Sequence, residues 1–227
     1  MLRTAPAKAR ALIDLGRARR ALGERSLRTF TELYLQPHCS CPFSRMHDEL
    51  FPLLEKMVDD QPRRLAVAAP RGHAKSTLTS LALPLWAALY GRSRFIVIVS
   101  ATKEQAVGLL RHIRDELMHN PRIQTDFPGI ARKDGGKGSG NQPKPWRDNR
   151  ITLGNGVVIA AFGAHQGLRG ARAGADRPDL IIADDLEDPE QVVSEEQREK
   201  LSQWFNGTLL HAGGPRTSVI IIGTILH

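Results

Sequence analysis

The chain has 227 residues, of which 41% are hydrophobic and 25% charged, a balance that suits a folded protein with a sizeable core and excludes a disordered or fibrous one. Lysine and arginine outnumber aspartate and glutamate by 32 to 24, and the resulting charge of +8 favours a polyanionic partner. No apolar run approaches the roughly 18 residues of a membrane-spanning helix. Cys39 and Cys41 stand too close for an unstrained bridge, which predicts reduced thiols and a cytosolic setting. The charge is uneven: residues 1–25 carry seven Lys or Arg against two acids and 121–150 seven against three, whereas 183–199 hold eight acids and one arginine.

Residues 1–40 read as an N-terminal helical arm, and 41–227 as an α/β domain. Within the arm, 5–23 has helical periodicity, with Ala11, Leu15, Ala18 and Leu22 forming a stripe to pack on the domain, or to meet a neighbouring subunit or DNA. The start is rich in arginine and poor in acids, as transit peptides are, but has no apolar secretory segment. His38, Cys39, Cys41 and His47 could hold a metal, although structural zinc pairs are usually spaced more widely. A second helix spans 43–60, with Phe43, Met46, Leu50, Leu53 and Leu54 on one face. Phe43 and Met46 lie where a nucleotide base could rest, though either could equally be core.

An apolar strand then runs into Ala69-Pro70-Arg71-Gly72-His73-Ala74-Lys75-Ser76-Thr77, which opens a long apolar helix to about Tyr90 with a kink expected at Pro84. Strand, tight loop and helix is the context of a phosphate-binding loop, which wraps backbone N–H groups around phosphates and supplies a lysine and a hydroxyl for Mg²⁺. Lys75 and Ser76 suit those two roles, while Ala69 and Ala74 replace both glycines of the usual pattern. Residues 94–100 are a continuous apolar, β-branched run, a buried parallel strand, and Thr102 with Gln105 forms a capping box for a helix to about His119.

A basic, glycine-rich loop, Asp134–Asn141, precedes a hairpin of 151–153 and 157–162. The loop Gly163–Pro178 carries Arg169, Arg172 and Arg177 among four glycines and could present a guanidinium to phosphate or remain a solvated connection. Leu180–Ala183 ends in Asp184 and Asp185. A carboxylate at such a strand tip beside a phosphate loop belongs in a Mg²⁺ sphere, which suits Asp184. ATP hydrolysis needs another carboxylate to orient water, with Asp185 and Glu187 as candidates. A helix from Ser194 to about His211 and a strand over 217–222 follow, ending at Gly223 and Thr224, where a polar side chain could sense the γ-phosphate.

Taken together, Pro70–Thr77, Ser100–Ala106, Gly167–Gly170, Arg177–Asp185 and Ile222–Thr224 resemble the ATPase domain of a tailed-phage terminase large subunit, over roughly residues 40–227. The resemblance implies an ASCE-type P-loop NTPase fold with a mainly parallel sheet flanked by helices. It also implies ATP and Mg²⁺ as cofactors, and sequence-independent translocation of double-stranded DNA into a procapsid by a homo-oligomeric ring in the host cytoplasm. By the same resemblance Arg71 is the loop arginine, Arg169 or Arg172 a finger offered to a neighbouring subunit, and Gly223-Thr224 the coupling motif. A portal protein and a small terminase subunit are the implied partners. Asp185 in place of the usual Glu and Ala74 in place of Gly depart from the pattern. The nuclease domain of such subunits is not expected here, so an isolated motor domain or truncated product is the expectation. A helicase-like, nucleic-acid-dependent ATPase and a nucleotide-regulated adaptor with little turnover are the alternatives.

Overall fold

The computed structural model describes residues 7–39, 41–59, 61–131, 146–168, 171–187 and 194–223. In chain order its elements are α1 (Ala7–Arg25), α2 (Leu27–Tyr34), α3 (Arg45–Glu55), β1 (Arg64–Ala68), a wide π-helical turn (Thr77–Ala82) leading into α4 (Leu83–Leu89), and β2 (Phe95–Ser100). There follow α5 (Lys103–His119), α6 (Pro121–Asp126), β3 (Arg150–Thr152), β4 (Val158–Gly163), β5 (Leu180–Asp184), α7 (Glu195–Trp204) and β6 (Ser218–Gly223). A second π-helical turn, Phe205–Leu209, extends α7.

Six strands form one sheet in the order β1-β6-β5-β2-β4-β3. All pairings are parallel except that of β3 with β4, the expected hairpin. The last strand in the chain thus lies between β1 and β5. Burial follows position: β2 and β5 are buried throughout, as their apolar runs require, while β1 at the edge alternates, with Arg64, Ala66 and Ala68 exposed. One face packs against α2, α3, α4 and α5 around Phe30, Tyr34, Leu54, Leu83, Trp86 and Ile113. The other packs against the 163–178 loop and the α7 segment through Leu168, Ala171, Leu209 and Ala212, so that loop is more than a solvated connection. Its residues 169 and 170 lie outside the described residues.

Local chemistry explains most boundaries. Thr102 and Gln105 complete the capping box of α5. Gly163 ends β4 against that helix start, where a Cβ would come within 2.6 Å of the Lys103 amide. The kink expected at Pro84 is instead the π-helical turn just before it. Pro84 lacks an N–H and would crowd the Ser80 carbonyl one regular turn back, and the wider turn relieves that contact. Ser194 stands at the N-cap of α7 but makes no side-chain cap bond.

Two apolar assignments are corrected. The stripe of α1 does not pack, since Leu15 and Leu22 are about half exposed at 52% and 50%. The helix docks instead by its small and charged residues. A Cβ on Gly16 would meet Asp126 at 2.6 Å and one on Gly23 would meet the Tyr90 hydroxyl at 2.8 Å, so both glycines permit close approach. Arg19 donates two hydrogen bonds, each 2.7 Å, to the buried Asp126 carboxylate, which also accepts one from the Tyr34 hydroxyl at 2.9 Å. In α3, Leu53 is exposed, and His47 and Phe51 take the buried positions beside Leu50 and Leu54.

Asp126→Ala leaves Arg19 and Tyr34 without their shared acceptor and should destabilise the fold by about 3 kcal/mol in denaturant unfolding. Asp126→Asn keeps an acceptor and should lose less. Equal unfolding curves for Asp126→Ala and the parent would mean that α1 does not depend on this bond set.

Candidate functional site

Beyond β1 the chain turns sharply. The Ala69 amide still reaches the Gly223 carbonyl of β6 at 3.5 Å, and the loop then bends through positive φ at Gly72 (80°) and Ala74 (52°). Gly72 adopts that region without penalty; Ala74 pays a left-handed cost of about 1–2 kcal/mol, because its Cβ crowds the backbone there. The Ala74 carbonyl accepts the Leu78 amide at 3.0 Å and so starts the helical segment directly. Lys75 is buried, and its ammonium donates to the carbonyls of Ala69 at 2.5 Å and Pro70 at 2.8 Å. Arg71, Gly72 and His73 are exposed at the rim.

Asp184, at the tip of β5, faces this loop across β6. Its carboxylate accepts from Ser76 at 3.1 Å and Ser80 at 2.5 Å, and its carbonyl accepts from the Ser100 hydroxyl at 2.8 Å. Burial raises its pKa above the ordinary value, with Asp185 adding to the rise, while Ser80, Ser76 and Lys75 oppose it. Ser76 and Asp184, paired by sequence reasoning, are therefore in contact. Ser80 was missed, although the signal was available: it lies four residues after Ser76, on the same helical face. Asp185 and Glu187 are exposed with Leu186 buried between them, so both face outward beside the loop. Asp185 holds φ 46°, its amide donating to the Ile222 carbonyl at 3.0 Å, so the chain is not extended there.

His47, read from the sequence only as a candidate metal ligand, has a different role. The Ser44 amide donates to its Nδ1 at 3.0 Å, which puts the proton on Nε2, and Nε2 donates to the His73 carbonyl at 3.0 Å. The imidazole thus ties the start of α3 to the middle of the loop. Phe43 packs edge-on against Phe51 with centroids 4.9 Å apart and lies under the Arg28 guanidinium. Met46 is half-buried on the same helix. Thr77 borders a cavity of about 330 Å³ with Ser76, Ser80, Leu81 and His112. The sulfur and imidazole groups near position 40 do not gather: His38 bonds Glu116 at 2.8 Å while His47 serves the loop. Among the described residues no group of three or more His, Cys, Asp or Glu could hold a metal ion.

Gly223 ends β6 beside Ala68, while Thr224 and Arg169 lie outside the described residues. Arg172 is not brought to Lys75 and Asp184; it opens into a separate cleft with Arg177 and His211.

No family model matches the chain, and no curated protein matches it. Among solved structures, the large terminase of bacteriophage HK97 superposes with a TM-score of 0.48 at 14% identity, over 81% of this chain and 33% of that one. This chain spans about a third of that protein's length. Among the described residues no helix is long and apolar enough to cross a membrane.

The chemistry of the site follows from its donors. The Ser76 hydroxyl and the Asp184 carboxylate are hard oxygen ligands at contact distance, a pair that fits Mg²⁺ with water completing its sphere. Lys75 is a buried ammonium hydrogen-bonded, among the described residues, to two carbonyl oxygens, which an anion's oxygens can replace.

Two substitutions test the stored strain. Ala74→Gly should raise stability by about 1 kcal/mol in thermal or denaturant unfolding, since glycine occupies the left-handed region freely. An unchanged or lower midpoint would show that the loop is not strained there. Asp184→Asn should also stabilise at neutral pH. A carboxyl whose folded pKa is raised contributes stability below its unfolded pKa and loses it as pH rises through the folded value, so the advantage of Asn should shrink as pH falls through that window towards the ordinary 3.8. A pH-independent difference between the two proteins would remove the burial argument.

Proposed function

We propose that this chain is an ATP-hydrolysing, P-loop motor domain that moves double-stranded DNA, of the kind that packages a phage genome. The observation that carries the reading is the contact of Ser76 at the helix start with buried Asp184 on a strand separated from β1 by β6. That insertion is the strand order expected of an ASCE-type NTPase, and a solvated acidic turn would give neither the burial nor the two serine donors. The net charge of +8 suits a DNA partner contacted mainly through phosphates.

In this reading the Lys75 ammonium leaves the Ala69 and Pro70 carbonyls for the β- and γ-phosphates, and the Pro70–Thr77 backbone wraps the rest. Ser76 and Asp184 hold Mg²⁺, which when bound neutralises developing charge on the phosphates. Asp185 or Glu187 accepts a hydrogen bond from the attacking water. His47 keeps the loop in register through His73, and Phe43 and Met46 border the base. Arg71 meets phosphate oxygens from the rim. Gly223, at the end of the strand between β1 and β5, and Thr224, next to it in the sequence, couple phosphate release to movement. Arg169 or Arg172 completes a neighbouring subunit's site, a contribution on the order of 10³–10⁵ in rate where such fingers operate.

Lys75→Ala should abolish hydrolysis in a steady-state phosphate-release assay while leaving the melting curve cooperative; an unaltered rate would remove the proposal. Asp185→Asn should lose turnover but retain Mg·ATP affinity, with Glu187→Gln mild. The reverse pattern would assign the water to Glu187, and mild effects at both would exclude hydrolysis by this acidic tip.

A further inference from the structure

Two clefts on the sheet face covered by α7 meet at Thr208. The first, about 790 Å³, is lined by His165, Gln166, Gln197, Lys200, Gln203 and Trp204. The second, about 380 Å³, is lined by Arg172, Arg177 and His211, with the buried Ala171 and Ala212 closing its inner side. Thr208 borders both, from the π-helical turn that widens the chain after α7. The two clefts are neighbours across Thr208, one aromatic and amide-lined, the other cationic.

Neither cleft is explained by the phosphate site. At the first, the His165 and Trp204 rings lie 5.2 Å apart, tilted by 50°, and the His165 backbone holds a strained φ of 62° to present its ring. Gln166 and Gln197 add amide side chains to the lining, as does Gln203, whose amide donates to the exposed Glu199 at 3.2 Å. No carboxylate lines either cleft among the described residues. Lys200 does pair with Glu196 at 2.6 Å, but both side chains are well exposed, and such a pair is readily exchanged. At the second cleft, Arg177 donates to the Gly213 carbonyl at 3.2 Å, a neutral acceptor, and among the described residues no carboxylate pairs with it. Arg150, whose pKa is lowered by burial and by nearby Arg147, donates to the Arg172 carbonyl at 2.9 Å and brings a third guanidinium close.

Flat rings with amide edges suit an unstacked base, and paired guanidiniums suit a phosphodiester. A lone phosphate would use only the second cleft and a lone base only the first, whereas a strand uses both. A duplex hides the base faces that Trp204 and His165 would contact. We propose that these two neighbouring clefts together bind single-stranded nucleic acid, with a base on Trp204 and His165 and phosphates of the same strand on Arg172 and Arg177, the strand passing over Thr208. The assignment goes beyond the motor reading, whose track is double-stranded DNA, by adding a surface for an unpaired strand, and it leaves Arg169 as the finger. It is measured without ATP, so the two fail separately.

The test is anisotropy titration of a fluorescein-labelled oligothymidylate of about 12 nucleotides, and of the duplex of the same sequence, in a salt series. Trp204→Leu should weaken oligothymidylate binding roughly 5- to 150-fold, the loss of one stacked base, while Trp204→Phe should retain most of the affinity. That rescue separates lost stacking from lost packing. Arg172→Gln combined with Arg177→Gln should reduce the salt slope by about 1.4, or about 0.7 for each phosphate contact on a single strand. Preference for the duplex with Trp204→Leu neutral would overturn the proposal and give the face to a double-stranded backbone. Hydrolysis restored by mixing the Arg172→Gln and Lys75→Ala proteins would overturn it in favour of a neighbouring subunit's nucleotide. Hydrolysis unaffected by Lys75→Ala would refute the motor reading and leave the binding results standing.

Discussion

A single buried carboxylate organises the site. Asp184 sits at the end of the most buried part of the sheet, and desolvation disfavours its charge. The serines at positions 76 and 80 offset that cost by donating from one helical face, which fixes the rotation of the helical segment after the 69–76 loop against β5. Ser100 holds the carbonyl of the same residue from β2. Three elements distant in sequence are thereby keyed to one residue, and the loop between β1 and the helix is set by where they meet.

Conformational cost gathers around that group. Ala74 and Asp185, both in the left-handed region, stand on either side of it, one in the loop and one at the strand tip. Each costs of order 1–2 kcal/mol and persists because its neighbours leave no alternative. The helical segment is also irregular here, with a wide turn placed between Ser76 and Pro84. These departures sit together, where Lys75, Ser76 and Asp184 converge, and the rest of the sheet is regular.

The sheet was largely legible because its strands are written as unbroken apolar runs. Phe95–Ser100 and Leu180–Asp184 form within a residue of their expected limits, and the Thr102 capping box and the 150–163 hairpin form as read. Ser76 with Asp184 was legible for a chemical reason, since a hydroxyl after Lys and an acid at a strand tip have few other uses. The helices were harder. The Leu15 and Leu22 stripe looked like a packing face, but a buried ion pair at Arg19 and two glycines set a different rotation, and nothing in the periodicity announces Asp126 as their partner. His47 bonds to the His73 carbonyl, and bonds to backbone leave no residue-type signature. The helix Leu27–Tyr34 is only eight residues long and was passed over for the same want of a long pattern.

The exposed flank of β1 has a consequence for how the protein behaves at high concentration. Its inner side pairs with β6, and among the described residues no strand pairs with its outer side, so the peptide groups of alternate residues there face solvent. A free flank of this kind is a template for another chain's strand. The sequence limits that hazard with charge and with brevity: Arg63 and Arg64 stand at one end, Pro70 closes the other, and only five residues lie in the strand. Like-charged arginines on two approaching copies repel, and proline cannot donate to a growing ladder. A few residues at the margin of the sheet, next to the loop that bends through Gly72 and Ala74, thus bear on the colloidal behaviour of the protein.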